Sequence, residues 1–179
     1  KAILDYLQRQ ELFIAEMADE GLRYHNIFHQ FLRNQLSDEE RLRLHERAAR
    51  FFEEQAVFDQ ALYHWLNAGD FQHVAAVLSD YGPELQHDGR LESLSGYLEQ
   101  LPPEILLRYP ILLYMNGDLA RLHSRFEEAL GWYEQAEAAW RERGQMDNVS
   151  RALRGQARVF LASVTPSADT PFVRHAPRG

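Results

Sequence analysis

The stretch RYHNIFHQFL, residues 23–32, places His25 and His29 four positions apart, so on one helix both imidazoles would share a face. Zinc hydrolases use that spacing in the pattern H-E-x-x-H, where the histidines hold the metal and the glutamate acts as general base. Here Asn26 stands in place of the glutamate, and an amide cannot take a proton from a metal-bound water. A catalytic zinc also needs a third protein ligand. The hydrophobic period changes from strand-like to helical across residues 24–27, so the two histidines need not lie on one helix at all. They read as packing or surface residues, with no metal site.

Other chemistries lack their residues. There are no cysteines, which removes thiolate metal sites, disulfides and cysteine nucleophiles. Neither a G-x-x-x-x-G-K-[ST] loop nor a G-x-G-x-x-G turn occurs, so the segment is not expected to hold a nucleotide by itself. Ser93, Ser95, Ser124, Ser150 and Ser163 sit in helices or at helix ends, without the sharp G-x-S-x-G turn that exposes a nucleophile. The expectation is a non-enzymatic segment with no cofactor of its own.

The whole composition agrees with a globular domain, one large or two small: 179 residues, 45% hydrophobic and 26% charged. A formal net charge of −8 would repel a phosphate backbone, so no direct nucleic-acid binding is expected. No apolar run approaches the roughly 20 residues that span a bilayer, and the N-terminus lacks a signal peptide's apolar core and cleavage site. This argues against a membrane partner and for a cytoplasmic location. Because the chain opens on Lys1 within a helical pattern, it reads as a piece of something longer.

The elements that must position any site are mostly helical. Residues 2–10 read as the end of a helix, and residues 11–17 and 22–25 as two strand-like runs about Gly21, a short β-hairpin. From Asn26 a helical stripe of Ile27, Phe28, Phe31, Leu32 and Leu36 begins. Ser37-Asp38-Glu39-Glu40 is a capping box that starts the next helix. Further helices are expected over residues 58–67, 71–87, 90–100, 110–123, 126–143 and 146–164. The breaks are placed at Gly69-Asp70, Gly82-Pro83, Asp88-Gly89, Pro102-Pro103 and Gly144. Residues 165–179, rich in Pro, Ser, Thr and Gly, read as a flexible tail.

An internal repeat explains this array. In Leu113-x3-Gly117-x2-Ala120-x5-Phe126-x2-Ala129-x3-Tyr133-x2-Ala136, small residues fall where two helices cross and large ones fill between neighbouring pairs. A weaker copy runs Ala49-x2-Phe52-x5-Phe58-x2-Ala61-x3-Trp65-x2-Ala68, and another begins at Gly155. The spacing is that of tetratricopeptide (TPR) repeats, so Trp65, Trp132, Tyr133 and Trp140 read as packing rather than a ligand cage. The fold expected is all-α, a right-handed superhelix of TPR-like antiparallel hairpins preceded by a winged-helix remnant with its β-hairpin. In TPR geometry the first helix of each hairpin lines the concave side, which should present Tyr114, Asp118 and Arg121, continued by Gln156 and Phe160.

The whole pattern resembles the middle of the large ATP-dependent LuxR-type transcriptional regulators, the MalT-like group of signal-transduction ATPases. The resemblance rests on Tyr24-His25-x2-Phe28-x2-Phe31-Leu32, on Leu101-Pro102-x-Glu104, and on Pro110 with Leu112 and Leu113. In that family a P-loop ATPase precedes a winged helix, an inducer-sensing superhelix and a DNA-binding helix-turn-helix. The resemblance implies that residues 1–36 are the end of the winged helix, 37–164 the start of the superhelix and 165–179 a tail. It also implies an intramolecular ATPase partner, ATP or ADP only in the full-length protein, and an inducer that is a small molecule, a protein or a peptide.

Related ATPases carry Met-His-Asp at the corresponding winged-helix position, and its histidine contacts the β-phosphate of bound ADP. By resemblance, His25 in Tyr24-His25-Asn26 would sense the nucleotide state. The alternative from another class is a stand-alone TPR adaptor that docks a peptide in its groove. An unstacked terminal hairpin would also suit self-association into a homo-oligomer.

Overall fold

The computed structural model describes residues 14–16, 22–24, 31 and 35–164. The expected helix over residues 2–10, both members of the His25/His29 pair and the tail over 165–179 lie outside these described residues. The chain divides into two compact units, residues 1–69 and 70–179.

In the first unit, strands β1 (Ile14–Glu16) and β2 (Leu22–Tyr24) pair antiparallel, with Ile14 opposite Tyr24 and Glu16 opposite Leu22. Helix α1 (Asp38–Glu54) starts on the expected capping box: the Ser37 hydroxyl accepts from the Glu40 amide at 3.2 Å, and the Glu40 carboxylate accepts from the Ser37 amide at 2.9 Å. That reciprocal bonding holds the Glu40 carboxyl below its ordinary range. Helix α2 (Phe58–Ala68) packs back on α1. Their crossing buries Ala49, Ala61, Leu62 and Trp65, and the Trp65 indole donates to the Glu53 carboxylate at 3.0 Å.

The second unit comprises α3 (Phe71–His87), α4 (Leu91–Leu98), α5 (Pro103–Arg108), α6 (Pro110–Leu122), α7 (Phe126–Glu142) and α8 (Met146–Val164). Helix α3 starts on Asp70, whose carboxylate caps the His73 amide at 3.1 Å. The expected break at Gly82-Pro83 is absent, and α3 runs through both residues. Proline's fixed φ is compatible with a helix, although inside one it loses an amide hydrogen bond and crowds the carbonyl four residues back, a cost of about 3 kcal/mol that the packing of α3 offsets. Gly82 earns its place by packing, since a Cβ there would lie 2.6 Å from the Met115 sulfur. The short helix α5 was not anticipated between the prolines; Pro103 occupies its first turn, where no amide donor is needed.

Four of the helix-joining turns share one device. The amide three residues past the helix end bonds back across five residues: Val57 to Phe52, Arg90 to Leu85, Arg125 to Ala120 and Gln145 to Trp140, at 2.8–2.9 Å. Each such turn passes through a left-handed residue, Ala56, Gly89, Ser124 or Gly144. The sequence signals captured the two glycines. Ala56 and Ser124 occupy the same turn of the two repeat copies, and they accept the left-handed conformation despite their Cβ atoms.

Candidate functional site

The core of the second unit sets up its polar face. Helix α6 packs on α7, and α7 on α8. Tyr133 of α7 is fully buried, its ring against two glycines: a Cβ at Gly117 or at Gly155 would lie 2.7 Å from a ring carbon. The repeat pattern placed small residues at both positions, and the close approach of α6 and α8 to one aromatic ring is the reason they must be small. Anchored this way, the Tyr133 hydroxyl donates to Asp118 Oδ1 at 2.7 Å. Burial, then the hydrogen bond and charge of Asp118, raise the phenol pKa above its ordinary value, so Tyr133 stays protonated.

Around this bond lies a cluster of cations. The Arg121 and Arg158 guanidiniums each stand 3.6 Å from Asp118 Oδ1. Arg158 also donates to the Tyr114 hydroxyl at 2.6 Å, and the Arg151 guanidinium carbon lies 4.6 Å above the Tyr114 ring. Burial works against the Arg158 charge, but Tyr114, Asp118 and Tyr133 outweigh it and raise its pKa. Tyr114 further packs against Tyr133 and Trp140, with ring centroids 5.3 and 5.9 Å away.

The structure thus brings Tyr114, Asp118 and Arg121 together. Tyr114 is only 3% exposed, covered rather than displayed, so the accessible groups of this face are the arginines above it. Gln156 is directed elsewhere, donating to the Glu137 carboxylate of α7 at 2.9 Å. Bonds from Arg141, then Gln156, hold Glu137 below the ordinary carboxylate range. Phe160 stands 57% exposed. Arg151 and Arg158 were missed in the sequence, although a signal existed. They sit four before and three after Gly155, on the helical face that the repeat pattern turns toward the preceding hairpin.

A second feature belongs to the first unit. His45 and His64 approach Nδ1 to Nδ1 at 2.9 Å, one ring donating and the other accepting, and the Phe52 ring stacks on His64. Burial, then the neighbouring His45, lower the His64 pKa. An open groove of about 420 Å³ beside the pair is lined by Leu36, Arg41, Leu44, His45, Ala48, Tyr63 and His64. Of the aromatic residues considered for a cage, Trp65, Tyr133 and Trp140 are buried in helix packing, and the Trp132 indole donates to Glu128 at 3.3 Å.

Fold and cluster together define a helical-hairpin protein with a polar, arginine-lined face. Comparison with known proteins shows similarity to MalT along most of the chain: residues 1–44 match the family of the MalT winged helix domain. The chain is 33% identical over 166 residues to the HTH-type transcriptional regulator MalT of Yersinia pestis, covering 89% of this chain and 18% of that protein. The MalT of Yersinia pseudotuberculosis gives the same values. That of Vibrio parahaemolyticus is 26% identical over 174 residues, 94% of this chain and 19% of the relative. The chain therefore spans less than a fifth of the length of these curated relatives. No solved structure matches it. Among the described residues, no helix is long and apolar enough to cross a membrane.

Proposed function

We propose that the chain is a non-enzymatic regulatory segment of an ATP-dependent LuxR-type transcriptional regulator. Residues 1–36 would close a winged helix that carries the β1–β2 hairpin, and residues 37–164 would begin a right-handed, TPR-like superhelix. The supporting observation is that similarity to MalT regulators runs through 89% or more of the chain, well beyond the winged-helix match over residues 1–44. An inducer or partner bound on the α6–α8 face would shift the balance between resting and active forms only by binding one of them more tightly.

In this reading the winged helix passes that shift to an adjoining ATPase, with His25 reporting the nucleotide state. The test is a promoter-reporter assay with the complete regulator carrying this segment. Tyr114→Phe, which keeps the buried ring and removes the hydroxyl that Arg158 holds, should weaken the inducer response while leaving protein levels intact, and His25→Ala should raise inducer-independent transcription. A reporter unmoved by either variant would overturn the reading. Peptide capture by the isolated chain, lost on Arg121→Ala, would then favour a TPR adaptor.

A further inference from the structure

The α6–α8 face holds more hydrogen-bond donors than its acceptors can use. Each guanidinium carries five N–H donors and no acceptor. Two guanidiniums, those of Arg121 and Arg158, stand beside a single carboxylate, Asp118, whose short bond is already taken by the Tyr133 hydroxyl at 2.7 Å, and a third, Arg151, lies over the adjoining Tyr114 ring. The two arginine contacts with Asp118 are 3.6 Å ion pairs, longer than hydrogen bonds, so neither guanidinium spends its fork on that carboxylate. The Nε of Arg121 is buried and has no hydrogen-bond partner among the described residues. A buried N–H left without an acceptor is costly, so Arg121 retains an unused donor beside this face.

We propose that Arg121, Arg151 and Arg158 form a binding site for a small ligand bearing an oxyanion, either a phosphate or a carboxylate. The inference rests on the reading of this face as the one that takes the inducer, and it adds the ligand's chemical class. Planar guanidiniums recognise both oxyanions through paired, charge-assisted hydrogen bonds. Three cations against one anion make the cluster an attractive spot on a chain whose net charge is −8. Tyr114 fixes two of the three, one over its ring and one at its hydroxyl, so the arginines are positioned before a ligand arrives. Gly117 and Gly155 hold the helices that carry them against Tyr133.

The experiment follows arginine Nε–Hε signals of the isotopically labelled chain by NMR, titrating inorganic phosphate, and separately acetate, against chloride at constant ionic strength. Saturable movement of the Arg121 and Arg158 signals, with Arg50 of α1 unmoved, is the expected result. Saturation with phosphate alone assigns a phosphate ligand, and saturation with acetate a carboxylate. Arg158→Gln, at a half-exposed position that folding should tolerate, should weaken binding about tenfold, the loss of one charge-assisted bond. Shifts no larger than those chloride produces, or equal in Arg158→Gln, would overturn the proposal.

The two readings fail separately. If oxyanions do not bind while Tyr114→Phe still weakens the regulator's response, only the ligand class is wrong. If Tyr114→Phe leaves that response intact, the assignment of the inducer to this face is wrong.

Discussion

At the scale of single residues, Tyr133 joins packing to electrostatics. Its ring is the contact that brings α6 and α8 close, and its hydroxyl fixes the carboxylate at the centre of the arginine cluster. Tyr133→Phe keeps the ring and removes the bond, so it should cost about 1.5–3 kcal/mol, typical of a hydrogen bond to a charged group. Urea unfolding at neutral pH measures that loss. The raised phenol pKa sets a sign as well. Above the ordinary value of 10.0 the unfolded chain releases this proton while the folded chain keeps it, so the stability contribution is complete below that pH and is lost as pH rises further. His64 behaves oppositely at the acid end. Its pKa is lowered from 6.5 in the fold, so the unfolded chain gains the proton first, and stability should fall as pH drops below that value. His64→Gln should flatten the acid limb of a pH–stability profile, and an unchanged limb would assign it to other groups.

Among elements, the close helix crossings and the turns between helices make separable demands on residue type. A Cβ at Gly117 or Gly155 meets the Tyr133 ring at 2.7 Å, inside any real contact distance, and an aromatic ring clamped from both sides has little room to yield. Gly117→Ala and Gly155→Ala should each destabilise by about 1–3 kcal/mol, the range for overpacking a core. Gly131 lies within α7 with open space where its Cβ would stand, so Gly131→Ala should stabilise by about 0.5–1 kcal/mol through helix propensity alone. Thermal unfolding of the three variants should separate these opposite signs. In the turns, Ala56 and Ser124 hold φ of 56° and 59°. Left-handed backbone costs an L-residue about 1–2 kcal/mol, and glycine returns part of any gain to chain entropy, so Ser124→Gly should leave a net gain of about 0.5 kcal/mol.

These elements also show what was legible in the sequence. The helices came from hydrophobic period, caps and glycine stops, and Gly117 and Gly155 from the offsets of the repeat. The bounds of α3 were read as found, 71–87, but the Gly-Pro pair within it was also read as a break; here the proline sits inside the helix and the glycine admits Met115. Helix α5 was hidden for a related reason: Pro102-Pro103 marks a break, and the same proline starts a helix well. The site was legible by half. Tyr114, Asp118 and Arg121 share one face of α6 and could be read from their spacing. Arg151 and Arg158 reach them from α8, and a contact between residues 44 apart, such as Arg158 with Tyr114, is set by packing that one helix's period does not carry.

For the whole molecule, charge is divided unevenly among helices, and the division bears on what the chain can bind. Helix α7 carries five glutamates, Glu127, Glu128, Glu134, Glu137 and Glu142, against Arg141 alone, whereas α8 carries Arg151, Arg154 and Arg158 against Asp147. The cationic stripe is thus flanked by an acidic helix packed against it. A DNA duplex needs a row of accessible cations along its phosphates, and its own charge would meet the α7 glutamates as it approached α8. A small oxyanion is short enough to reach the arginines without crossing that field. The two ligands should therefore part company at about 0.1 M salt, where charges more than about 10 Å apart are largely screened. Fluorescence anisotropy with a labelled duplex should show no saturable binding by the 179-residue chain, while phosphate or acetate still moves the Arg158 signal. Duplex binding that weakens steeply with added salt would reverse this ordering and make α8 a nucleic-acid contact.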